Sequence, residues 1–176
     1  LSMRFFLKMK HWQLFLLFAV LPLVVEAAYD NLLGPVDSSW PVRLIINAIM
    51  AFLAIAYLWT LGDKLYERLP VKSSNLSPGW FKAGLVYAFF ELIYLSTFSA
   101  FFIIEKPASP FYLVPIHVLA TVAIFYAIYF IAKSLAGVKK GEEANINDWA
   151  GYFFMLWFYP IGIWFFQPRI NRLFEK

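Results

Sequence analysis

The chain has 176 residues, 62% hydrophobic and 21% aromatic, with only 15% charged and a mean hydropathy of +0.67. That balance is too apolar for a soluble domain and reads as one compact integral membrane bundle, with no stretch polar enough to fold as a separate soluble module. The net charge of +4 comes from basic residues in short connections, an orientation signal rather than a nucleic-acid footprint, and the absence of cysteine excludes disulfides, thiolate catalysis and Cys-ligated metals.

The chain opens on Leu1 with Met3 two positions later, which suggests a non-ATG start or a start at Met3. The first apolar run, WQLFLLFAVLPLVVEAA (12–28), follows Arg4, Lys8 and Lys10. It fits either a transmembrane helix or a signal peptide, since Leu14 to Val25 has the length of an h-region and Val25-Glu26-Ala27 resembles a cleavage site. Pro22 inside the run, Trp12 at an interfacial position and later apolar runs to pack against favour a retained helix.

After YDNLLGPVDSSWP comes a second helix, 42–62, on which Asn47, Ala51 and Ala54 fall at i, i+4, i+7. That spacing reads as a face for close helix packing. The connection DKLYERLPVKSSNLSPGWFK carries Lys64, Arg68, Lys72 and Lys82 with Ser77-Pro78-Gly79 as turn residues. A third helix is expected over 83–104 and, after EKPASPFYLVP, a fourth over 113–136 with Pro115 in its first turn. KSLAGVKKGEEANIND reads as the longest charged connection, carrying Lys133, Lys139, Lys140, Glu142, Glu143 and Asp148, with GVKKGEEANIND as a solvated loop. No internal repeat supports the inverted-repeat plan of many transporters.

Placing the N-terminus in the cytoplasm puts the basic connections there too and leaves only Arg43 and Lys106 outside. Five of the seven tryptophans, Trp12, Trp40, Trp59, Trp80 and Trp149, fall at expected helix ends, as an aromatic belt would. The last apolar stretch, 149–166, is interrupted by Pro160 and Gly162 and followed by Arg169, Arg172 and Lys176. Eighteen residues of helix would reach about 27 Å, barely a hydrocarbon core of ~30 Å. The segment therefore either crosses with a kink or dips in and returns, and both routes require a break near residue 160, with Asp148 as the N-cap of the helix before it. The expected fold is an all-α membrane bundle of four transmembrane helices plus a fifth apolar C-terminal segment kinked or re-entrant at Pro160.

The string GYFFMLWFYPIGIWFFQPRINRLFEK, with KHWQLFLLF near the start and YFIAKSL after the fourth helix, resembles an uncharacterised group of small multi-pass inner-membrane proteins of Gram-negative bacteria. The resemblance covers most of the chain and is strongest over the last thirty residues. It implies a retained first helix and an inner-membrane location, and it supplies no activity or catalytic residue.

Among polar groups, Glu91 stands in the middle of the third helix, where an ionisable side chain is costly unless paired, wet or neutral. Tyr87 and Tyr94 share its face. It reads either as a proton- or cation-handling carboxylate or as a neutral glutamic acid bonded to a tyrosine or a backbone carbonyl. Asn47 and His117 lie at a similar depth to each other, and Ser96, Thr97 and Ser99 reach the same level. Together they read as an outward-facing polar pocket or, the plainer reading, as interhelical hydrogen bonds. There is no metal-ligand spacing, phosphate loop or nucleophile elbow, and no cofactor is expected. The leading functional expectation is a non-enzymatic accessory or interaction subunit, with the bilayer and a membrane-protein partner or second copy as its contacts and no nucleic acid. The alternative is a small transporter or lipid-handling protein using Glu91 and the Asn47/His117 layer.

Overall fold

The computed structural model describes residues 5–28, 36–73, 75–105, 111 and 113–174, with the side chains of 36–40, 98–105 and 113 outside the described set. The chain is all-helical over these residues. A short α1 (Phe5–Lys8) precedes α2 (His11–Ala28). Then come α3 (Val36–Glu67), α4 (Pro78–Glu105), α5 (Leu113–Lys140), α6 (Ile146–Trp157) and α7 (Tyr159–Phe174). His11–Ala28, Pro41–Glu67 and Val114–Lys140 are long and apolar enough to cross a membrane. The expected third span lies within α4, which is long enough but carries Lys82, Glu91 and the Ser96-Thr97 pair.

Helix ends follow local chemistry and correct several expected limits. Ser77 accepts from the N–H of Phe81 through its carbonyl (3.0 Å), and Pro78 takes the first helical position, where no N–H is needed. So α4 starts earlier than residue 83. The α5 helix does not stop at 136 but runs on to Lys139-Lys140, two cations in a last turn that favours positive charge. It stops at Gly141, whose φ of 81° suits only a residue without Cβ. At α6 the cap is Asn145, not Asp148. The Asn145 side chain accepts from the N–H groups of Asn147 (3.1 Å) and Asp148 (3.3 Å), and Asp148 accepts from Asn145 N–H (2.9 Å). Reciprocal capping needs an acceptor three residues into the helix, and Asp148 fills that role better than the cap itself.

Pairs across the seams fix the topology. Asp63 meets Lys82 (3.0 Å) and Asn47 meets Ser96 (2.9 Å), so α3 and α4 are antiparallel. Phe81 stacks on Phe130 at 4.3 Å while Tyr87 reaches Ile116, making α4 and α5 antiparallel. Tyr129 on Trp149 and Phe125 on Trp157 do the same for α5 and α6. Then the chain turns back. The α6 helix ends at Trp157, Phe158 leaves helical geometry (φ −87°, ψ 50°), and α7 begins at Tyr159. Pro160 therefore falls in the first turn of α7 rather than kinking α6. A Cβ on Gly162 would strike the Met155 carbonyl, and Arg169 Nη1 lies 3.2 Å from Met155 Sδ, so the two helices form a tight antiparallel hairpin. Its far end comes back to the start of the bundle, where Arg68 donates to the Leu173 carbonyl and its guanidinium lies 4.0 Å over the Phe174 ring.

The most buried side chains occupy the half of the bundle nearest α1: Leu14, Leu61, Leu65, Phe81, Leu85, Phe130, Ile131, Leu135, Ile163, Phe166 and Ile170. Any Cβ at Gly62 would enter the Phe81 ring, so Gly62 is the close-approach point of α3 and α4. Of the described lysines and arginines, Arg43 alone stands at the opposite end.

Candidate functional site

The less packed half holds an open cleft. Over Leu16–Val20 α2 adopts π geometry, which admits an extra residue per turn, and neither this stretch nor Leu21–Ala28 buries a side chain. The near half of α2 is held by α7 through His11 and Phe15 against Trp164. Its far half stands off the bundle. Between it and α3–α5 lies an open cleft of about 850 Å³, in the upper part of the ~300–1,000 Å³ range of ligand sites.

Each wall has a sequence origin. On α3, Asn47, Ala51 and Ala54 line the cleft. The small face thus opens a volume in place of the close helix packing expected of it. Leu92, Leu95 and Ser96 of α4 and Ile124 and Ile128 of α5 form the facing wall, and Phe18, Pro22, Val25 and Glu26 of α2 the outer one. The floor is Tyr57 with Leu156, Trp157 and Tyr159, the turn of the α6–α7 hairpin. Polar groups gather at the far end. Asn47 Nδ2 donates to Ser96 Oγ (2.9 Å), and Arg43, one turn before Asn47, pairs with Glu26 across the mouth (4.0 Å).

Glu91 does not line this cleft. Five residues from Ser96, it points about 140° away around α4, toward α5. Its carboxylate, 5% exposed, lies 2.8 Å from His117 Nδ1, whose side chain is 57% exposed. The partner is thus a histidine rather than the tyrosine or backbone carbonyl expected. Tyr87 instead donates to the Ile116 carbonyl (3.0 Å), stitching the same seam, and Tyr94 is exposed. Thr97 bonds its own helix at Ile93 (2.9 Å), and the Ser99 side chain lies outside the described residues. The expected single layer is therefore two separate pairs, Asn47–Ser96 at the cleft and Glu91–His117 at the α4–α5 seam.

Two polar clusters escaped sequence reading. Gln167, fully buried, accepts from Tyr57 OH (3.0 Å), and its two amide hydrogens are shared among the carbonyls of Phe6 and Met9 (both 3.1 Å) and Asn171 Oδ1 (2.9 Å). It ties α1, α3 and α7 together below the cleft floor. Its signal was present, since Gln167 and Asn171 stand at i, i+4 on one face. The other cluster is Lys133, placed by its charge in a connection but buried on α5. Its ammonium donates to Ser73 Oγ (3.0 Å) and Glu143 Oε1 (3.3 Å), and Ser73 donates to Glu143 (2.5 Å). The segment expected to be a solvated loop is thus pinned to the preceding connection. The Ser73 hydroxyl, followed by Lys133, holds the Glu143 carboxyl below its ordinary range, and Lys140, followed by the Asn145 N–H, does the same for Asp148.

Among the described residues no three of His, Asp and Glu gather as metal ligands. What the cleft can do chemically is shelter an elongated apolar body with a polar end at the mouth. Comparison with known protein families, curated proteins and solved structures finds no match.

Proposed function

We propose that this chain is a non-enzymatic, multi-pass protein of the bacterial inner membrane that handles lipid, holding one lipid molecule in the cleft between α2 and α3–α5. The observation that carries the reading is the cleft itself, about 850 Å³ with an apolar wall and a polar rim at one end only. In this reading α2, α3, α4 and α5 cross the bilayer with the N-terminus in the cytoplasm, and the α6–α7 hairpin enters from the cytoplasmic side and returns. The clustering of basic side chains at the α1 end supports that orientation. So does the contact of Arg68 with Leu173 and Phe174, which keeps the end of α7 beside the cytoplasmic end of α3.

One observation favours retention of lipid over transport, and keeps the accessory-subunit reading beside it. Glu91 is buried behind His117 and outside the cleft, so the mid-helix carboxylate of α4 that could carry a coupling ion does not open onto the cleft. A lipid-holding subunit of a larger membrane assembly satisfies both readings. Native mass spectrometry of the detergent-released protein tests the proposal. Protein carrying one lipid mass is the expected result, and a spectrum of bare protein under conditions that preserve lipid on a control membrane protein would overturn it.

A further inference from the structure

We infer that the occupant of the cleft is a zwitterionic glycerophospholipid, with an acyl chain along α3 and its phosphate and ammonium at Arg43 and Glu26. This rests on the lipid-handling reading and specifies its ligand. Three independent features lead to it.

Depth comes first. From Asn47 at the rim to Leu58 near the floor the cleft follows eleven residues of α3, about 16 Å at 1.5 Å per residue. One leaflet of a ~30 Å hydrocarbon core is about 15 Å deep. The cleft therefore matches the reach of acyl chains from one leaflet and ends where the opposite leaflet begins, on the hairpin turn.

Width is second. Ala51 and Ala54 face the cleft from α3 with nothing but methyl groups. Small residues at i, i+3 normally admit another helix backbone, yet here the opposite wall is the far half of α2, which buries none of its own side chains. A partner helix would need that stripe to accept side chains along the whole groove, but Trp157 and Tyr159 close it at half depth. A chain that stops at mid-membrane fits and a spanning helix does not.

Charge is third. Of the described cations, Arg43 is the one at this end of the bundle, with 13% of its side chain exposed, and it faces a Glu26 that is 70% exposed at the 4.0 Å limit of ion pairing. A guanidinium offers paired donors matched to a phosphate, and a carboxylate beside it repels a second anion while accepting from an ammonium. Asn47 and Ser96 supply neutral hydrogen-bonding groups one turn deeper, at the level of glycerol esters. An anionic head without a cation would meet Glu26 unfavourably.

The test reconstitutes the full chain in nanodiscs of equimolar phosphatidylethanolamine and phosphatidylglycerol and reads bound lipid by native mass spectrometry. Phosphatidylethanolamine should be enriched about tenfold on the wild type, the worth of one charge-assisted bond, and the preference should vanish in the Arg43→Gln/Glu26→Gln double variant. Occupancy should fall at least tenfold in Ala51→Phe/Ala54→Phe, which fills the groove. As a measurement that needs no variant, a phosphatidylethanolamine with a diazirine on its acyl chain should crosslink to peptides of residues 47–58. Equal occupancy by both lipids on the wild type would overturn the headgroup assignment and leave the lipid-handling reading standing. Absence of any bound lipid, crosslinks confined to residues outside the cleft walls, or a protein bound in the groove would overturn both.

Discussion

Replacing Gln167 with leucine tests whether the buried amide network holds the hairpin beneath the cleft. The substitution keeps approximate volume and leaves two buried groups without their partner, the Tyr57 hydroxyl and the Phe6 carbonyl. The Met9 carbonyl retains Asn171 Nδ2 at 3.1 Å. Tyr57 is 2% exposed and Phe6 1% exposed, so water does not replace the lost bonds. A stranded buried group costs about 1–3 kcal/mol in water-soluble proteins, while hydrogen bonds inside membrane bundles average ~0.6 kcal/mol because the unfolded chain in lipid finds other partners. Two groups at an intermediate value of ~1 kcal/mol each predict a loss of about 2 kcal/mol. Tyr57→Phe removes one of the stranded groups in advance, so the double variant should lose ~1 kcal/mol less than the sum of the singles. Equilibrium unfolding in mixed micelles, followed by tryptophan fluorescence, measures all three. A Gln167→Leu protein within ~0.5 kcal/mol of wild type, or a cycle with no coupling, would refute the network's role.

Four further outcomes are expected. Gly162→Ala should destabilise by about 3 kcal/mol in the same unfolding assay, because its methyl meets the Met155 backbone, whereas Gly151→Ala, with open space around it, should stabilise α6 by ~0.5 kcal/mol. His117→Leu should cost more than Glu91→Leu, by roughly 1–2 kcal/mol, since the first strands a buried carboxyl and the second an exposed imidazole. The Glu143 carboxyl lies below its ordinary range in the folded protein, so its contribution is complete above the unfolded value near ~4.3 and is lost as pH falls through the lower folded value. Protection of the amides of residues 71–77 and 141–145, taken against the intrinsic exchange rate at each pH, should accordingly fall below about pH 4, and unchanged protection down to pH 3 would contradict the tether. A reporter fused after Lys176 should read cytoplasmic, and a periplasmic signal would mean that the hairpin does not return.

The apolar runs and the break near residue 160 were legible, but the helix limits were not: Ser77-Pro78 reads as a turn although it opens α4, and Gly141, which ends α5, falls inside the expected loop. Side-chain partners were less legible. Glu91 lies 26 residues from His117, and nothing local distinguishes a histidine from the nearer Tyr87 and Tyr94 as its partner. Asp148 was read as a cap because its own helix was started too late, and the true cap lies three residues earlier in the same NIND tetrapeptide. The face of Asn47, Ala51 and Ala54 was recognised but its use was not. Small residues lower the wall equally for an incoming helix and for a void, and which results depends on whether a neighbour reaches that depth.

That neighbour is the hairpin, and its length explains the cleft. The α6 helix has 12 residues, about 18 Å at 1.5 Å per residue, little more than half the ~30 Å needed to cross a hydrocarbon core. It rises beside α5 as far as Trp157 against Phe125 and stops, so the volume above it receives no helix from the described residues. The α7 helix descends with Gln167 bonded to α1 and Trp164 against the near half of α2, and its first residue, Tyr159, meets α2 at Phe18. The π turn at Leu16–Val20 begins one residue after Phe15, which still touches Trp164. Phe18 within that turn still packs on Tyr57 and Tyr159, and beyond it α2 resumes α geometry over Leu21–Ala28 but buries no side chain. Cleft and hairpin are therefore one structural decision. A reversal at residue 158 closes the bundle tightly at the α1 end and leaves it open at the other, with Ala51 and Ala54 facing the space beyond the turn.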